Sequence, residues 1–171
     1  MTESTECSAS VLRTARNFVA GFERVQRERM VGLPILHPGL SVAVIGAQEW
    51  HLGWLGMLLT PWCMNLVLVP GERSAFVPGR VGSKQVVSFP AGEFEFIASE
   101  EEGIGAFAAC SMFSPMQTFA DQPSAIATAE AIMAALFEPA SAADGLRPRQ
   151  LACARPGMSR RDLLRGRFSR P

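Results

Sequence analysis

Few side chains in this sequence have the chemistry for catalysis or metal binding. There are two histidines, His37 and His51, and four cysteines, Cys7, Cys63, Cys110 and Cys153. A metal centre would have to combine the histidines with Cys63 and Cys110, whose gaps of 14, 12 and 47 residues form no ligand signature. No two cysteines stand in a C-x-x-C pair, which excludes a rubredoxin-type knuckle and a thioredoxin motif. Cys63 with either histidine is a conceivable nucleophile pair, but no G-x-S-x-G or other catalytic signature accompanies it. Gly103-Ile104-Gly105 lacks the trailing glycine and the following helix of a phosphate loop. No cofactor, no resident metal and no turnover chemistry are therefore expected. Cys63 and Cys110 lie in apolar strand-like patterns and are expected to be reduced and buried.

What remains is recognition chemistry. Trp50, Trp54, Trp62, Met57, Met64, Met112, Phe113 and Met116 concentrate in two central blocks. Each one alone reads as core, because large apolar side chains are mostly buried. Together they also suit a groove for an apolar peptide, since methionine adapts to varied partners. Pro61 and Pro115 break the two blocks and place Trp62 and Met116 near strand ends, as rim residues of such a groove. A second signal lies in Ser159-Arg160-Arg161-Asp162-Leu163-Leu164-Arg165, which looks like the S-R-R-x-F-L-K pattern of twin-arginine export signals. Such signals stand near an N-terminus and precede an apolar segment, whereas here only Gly166–Pro171 follow. The segment is either a solvated basic tail or a decoy that occupies a groove meant for another protein's leader.

Charge is divided along the chain. Residues 1–146 carry eight basic and fifteen acidic side chains, a formal −7. Residues 147–171 carry eight arginines against Asp162 alone, a formal +7. An acidic body repels phosphate, so a nucleic-acid partner is not expected. The opening MTESTECSAS has neither a basic nor an apolar signal-peptide region, so a cytoplasmic location is expected.

The elements that must position these residues follow from the hydrophobic pattern. A helix is expected from Ser8 or Ser10 to about Gly32, with Val11, Ala15, Phe18, Phe22 and Val25 on one face. Leu40–Ile45 reads as a central strand buried on both faces. Leu52–Gly71 is uncharged over a length that could span a bilayer, but Pro61, two glycines and the β-branched Val67 and Val69 predict two strands joined at Thr60-Pro61-Trp62. Stable membrane insertion is not expected. Val86–Phe89, the alternating Glu93-Phe94-Glu95-Phe96 and Ile104–Phe113 supply further strands, with an acidic loop at 99–103. A second helix is expected over 122–137, capped by Asp121 and stopped by Pro139. The expected fold is α+β: an antiparallel sheet of five or six strands flanked by an N-terminal and a C-terminal helix, with both helices on one face. Residues 8–139 form the expected domain and 140–171 a disordered, arginine-rich tail.

Four blocks, LPILHPGLSV (33–42), TPWCMNLVLVPG (60–71), FPAGEFEF (89–96) and CSMFSPM (110–116), together resemble the HybE/HupJ-type [NiFe]-hydrogenase assembly chaperones. The shared pattern is H-P, then T-P-W with apolar flanks, then C-S-x-x-S-P, present here as His37-Pro38, Thr60-Pro61-Trp62 and Cys110-Ser111 to Ser114-Pro115. The match spans about residues 17–137 and the arginine-rich end. The resemblance implies an accessory protein that holds an immature hydrogenase subunit. The expected client is the small-subunit precursor with its twin-arginine leader, and the large subunit and other maturation proteins are further candidates. Some family members add a rubredoxin domain, whose cysteines are absent here. By motif position, the candidate partner-binding residues are His37, Thr60, Pro61, Trp62, Met64, Asn65, Cys110, Ser114, Pro115 and Met116. Arg160, Arg161, Leu163, Leu164 and Arg165 form the tail motif. The alternative is a thiol or metal-handling factor in iron–sulfur or nickel insertion, using Cys63, Cys110 and His37.

Overall fold

The structure, a computed structural model, describes residues 3–71 and 74–139. Helix α1 (Glu3–Arg29) precedes six strands, β1 (Ala43–Trp50), β2 (Gly53–Leu59), β3 (Met64–Pro70), β4 (Lys84–Phe89), β5 (Gly92–Glu101) and β6 (Gly105–Phe113), and helix α2 (Gln122–Ala135) closes the series. The strands form one sheet in the order β1-β2-β3-β6-β5-β4, with every pairing antiparallel. The uncharged run 52–71 is the β2–β3 hairpin, and no helix among the described residues is long and apolar enough to cross a membrane. The arginine-rich segment lies outside the described residues.

Paired residues share a face of the sheet, so the two cores separate by strand parity. Leu55, Met57, Leu59, Met64, Leu66, Leu68, Cys110 and Met112 face α2 and its Ala125, Ala129, Met133 and Leu136. Trp54, Leu58, Val67 and Phe107 face the other way, onto Phe18 of α1. The helices therefore lie on opposite faces, not on one. The physical reason is visible in β2, whose residues 54–59 are all buried: a strand apolar on both faces needs cover on both.

Two further expectations change. Helix α1 begins at Glu3, ahead of the serines expected to cap it. The 40–45 run is indeed covered on both faces, with Leu40 in the α2 core and Val42 in the α1 core, yet β1 starts at Ala43 and is an edge strand. Helices cover its faces but not its outer edge, and that edge is interrupted by a bulge at Gly46, which has φ +63°. The Asp121 cap is present. Its carboxylate accepts from the Ser124 N–H at 2.9 Å, and this bond, with that from the Ser124 hydroxyl, holds the carboxyl below its usual range.

Candidate partner-binding site

Three of the motif blocks meet at one end of the sheet, and His37 joins them. Its backbone N–H donates to the Pro61 carbonyl at 2.8 Å. Its ring Nε2 lies 3.0 Å from the Phe119 carbonyl, and Nδ1 accepts from the Gly39 N–H at 3.1 Å. The Gly39 N–H at Nδ1 leaves Nε2 to donate to the Phe119 carbonyl. Gln117 Nε2 adds a bond to the Ile35 carbonyl at 3.0 Å. Three loops, 30–41, 60–63 and 114–120, are thereby tied into one platform. His37 is its staple, and both ring nitrogens are already engaged.

The Thr60-Pro61-Trp62-Cys63 turn is built around one buried hydroxyl. Proline fixes φ near about −65°, which excludes the left-handed turns usual in two-residue hairpins. Thr60 compensates: Oγ1 accepts from the Cys63 N–H at 2.9 Å and the Trp62 N–H at 3.3 Å, and donates to the Cys63 carbonyl at 2.8 Å. Thr60 is fully buried, so its role is to shape the turn and not to touch a partner. The turn presents Trp62, half-buried, with its ring stacked on Phe22 of α1 at 6.5 Å.

The remaining candidates divide clearly. Asn65, Ser114 and Pro115 reach the surface in whole or part, and the Ser114–Pro115 bond is cis. Pro61, Met64, Cys110 and Met116 are buried. Met116, expected at the rim, sits in the α2 core at 0 % exposure because the chain turns inward after Pro115, so it shares no groove with Trp62. Sequence reasoning missed Leu33 and Ile35, exposed at 43 % and 42 % on the platform. Their place in a proline-bracketed loop was the available signal.

Cys63 and Cys110 do not converge. Cys110 points into the α2 core, while the Cys63 thiol stays with Asn65, whose Nδ2 lies 3.4 Å away, and with Thr60 Oγ1 at 3.3 Å. Burial pushes the Cys63 thiol up, against the smaller lowering by these two hydrogen bonds, so the thiol is protonated at neutral pH. Neither cysteine is disulfide-bonded, and no three side chains suited to a metal ion gather among the described residues. The acidic loop is partly neutralised from within: Glu101 pairs with Arg29 and with Arg24 at 3.9 Å, both on α1.

Among the described residues the architecture is two helices and six strands, and its distinctive feature is a stapled platform of loops. The sequence pattern of the family described as "[NiFe]-hydrogenase assembly, chaperone, HybE" matches residues 13–166, and the chain belongs to that family. It is 40 % identical over 151 residues to the "Hydrogenase expression/formation protein HupJ" of Bradyrhizobium diazoefficiens, covering 88 % of this chain and 86 % of that protein. It is 39 % identical over 124 residues to the "Hydrogenase expression/formation protein HupT" of Azotobacter chroococcum, covering 72 % and 82 %. The solution structure of HybE from Escherichia coli superimposes with a TM-score of 0.61 at 23 % identity, over 87 % of this chain and 93 % of that one, which shows the shared fold. The protein is thus a [NiFe]-hydrogenase assembly chaperone.

Proposed function

We propose that the chain acts in the cytoplasm by holding an immature [NiFe]-hydrogenase subunit, the small-subunit precursor with its twin-arginine leader, until cofactor assembly is complete, and that it does so by binding and not by turnover. The observation that carries this reading is the platform, where Trp62, Leu33 and Ile35 stand partly exposed on loops locked together through His37. Preset loops lose little conformational freedom on binding, and a part-exposed tryptophan is the residue type that most often dominates an interface. The thiol or metal-handling alternative has no comparable support, since its three residues do not face one another.

Titrating a small-subunit leader peptide against the protein tests the reading. Trp62→Ala should weaken binding by about 2 kcal/mol, close to 30-fold. Added salt should weaken it further, because a basic leader meets an acidic body. Binding that ignores Trp62→Ala, or a pull-down that retains the large subunit and never the small one, overturns it.

A further inference from the structure

Helix α1 carries more apolar surface than the sheet beneath it covers. Phe18 is its buried centre, with Val11, Ala15 and Phe22 packed around it. A second stripe runs along the flank nearest β1. Leu12, Arg16, Val19 and Glu23 recur at intervals of four, three and four residues, the spacing of a seam between two helices. With Ala20 of α1 and Val44 of β1 they line an open groove of about 270 Å³. Leu12 stands 56 % exposed there. Arg16 and Glu23 are the two charged side chains of the lining, and neither forms an ion pair among the described residues. They lie seven residues apart, beyond the i,i+3 and i,i+4 reach of pairing within one helix.

The order of these residues is self-complementary. A second α1 laid antiparallel along the first sets Arg16 against Glu23 of the other copy, and Glu23 against its Arg16. Val19 then meets Ala20, whose small side chain lets the two axes approach. Leu12 falls beside Arg27, an exposed residue whose aliphatic stem is a suitable apolar neighbour. A closed two-fold contact requires a surface that matches its own reverse, and this stripe does so in both charge and apolar character. A strand is a poorer occupant, because the bulge at Gly46 interrupts the neighbouring edge of β1. We propose that this groove is a self-association surface, on which two copies of the chain pack α1 against α1 about a two-fold axis between Val19 and Ala20, closed by two Arg16–Glu23 ion pairs. One helix pair is a small interface, so the dimer is weak and forms at micromolar concentration or above. None of this depends on the leader reading.

Sedimentation equilibrium of the full chain, with no client present and from micromolar to millimolar concentration, tests the proposal. The wild-type chain should show a monomer–dimer equilibrium. Arg16→Glu sets two like-charged pairs across the axis, and so does Glu23→Arg, so each variant alone should dimerise about tenfold more weakly. Both side chains are exposed, which leaves the fold intact. Mixing the two variants pairs Glu at 16 and 23 on one chain with Arg at 23 and 16 on the other. The mixture should therefore associate more tightly than either variant alone, a result that misfolding cannot produce. A wild-type chain that stays monomeric throughout, as when residues 140–171 or another protein cover the groove, overturns the proposal. So does a dimer indifferent to both substitutions, or a mixture no tighter than its components.

Discussion

The two faces of the sheet are covered unequally. On the α2 face, buried side chains run across the full width, from Ile45 on β1 to Phe89, Phe94 and Phe96 on the far strands. On the α1 face the buried cluster includes Phe107 on β6 but nothing from β4 or β5, where Val86 is 61 % and Ile97 42 % exposed. Curvature makes the difference: Trp50 of β1 stacks on Phe89 of β4 at 4.4 Å, so the two edge strands close toward each other over the α2 face, while on the α1 face two outer strands, at an interstrand spacing of about 4.8 Å, leave roughly 10 Å of sheet uncovered. The α2 face buries the larger core and is expected to supply most of the stability, while the α1 face leaves more of the sheet accessible.

Phe96 and Ile97 make the sharpest test, being neighbours on β5 that point to opposite faces. Phe96 is 1 % exposed and stacks on Phe89 at 6.3 Å. Phe96→Ala should cost about 3–5 kcal/mol, the largest effect expected here, read as a lowered denaturation midpoint. For a domain with only about 5–15 kcal/mol of net stability, that is a large share. A loss under 1 kcal/mol, on the same scale of core substitutions, would mean that the α2 face does not dominate.

Thr60→Val tests whether the platform is stiffened from beneath. Valine keeps the volume but leaves the Cys63 N–H, which the hydroxyl now satisfies, without that partner. The expected cost is about 1–3 kcal/mol in chemical denaturation, with faster amide exchange at Trp62 and Cys63. Unchanged exchange would show that Pro61 alone sets the turn.

The strands were legible in the sequence because each carries a local signal. The alternation at 93–96 gives β5 its buried Phe94 and Phe96 and its exposed Glu93 and Glu95. Pro61 marks the β2–β3 turn, and Asp121 marks the start of α2. Layering was harder to read. Whether α1 and α2 share a face depends on pairings between distant strands, although the unbroken apolar run of β2 already required cover on both sides. The same long-range packing hid the edge position of β1. The site was legible as motif blocks, but its roles were not. Nothing in the spacing of Met116 distinguishes a rim from a core methionine, and the bond that ties His37 to Phe119 joins residues 82 apart.

Ile97→Thr is the smallest expected effect and the most informative about the bare half of the α1 face. Threonine is also β-branched, so strand preference is preserved and only apolar contact is removed. With the side chain already 42 % exposed, stability should change by no more than about 0.5 kcal/mol, measured by the denaturation midpoint of the full chain. Hydrophobic cover supplied by another part of the molecule would raise that cost, since burying a residue of this size contributes about 1.5–3 kcal/mol. A loss in that range would show that this half of the face is covered in the full chain, and the contrast between Phe96 and Ile97 would no longer hold.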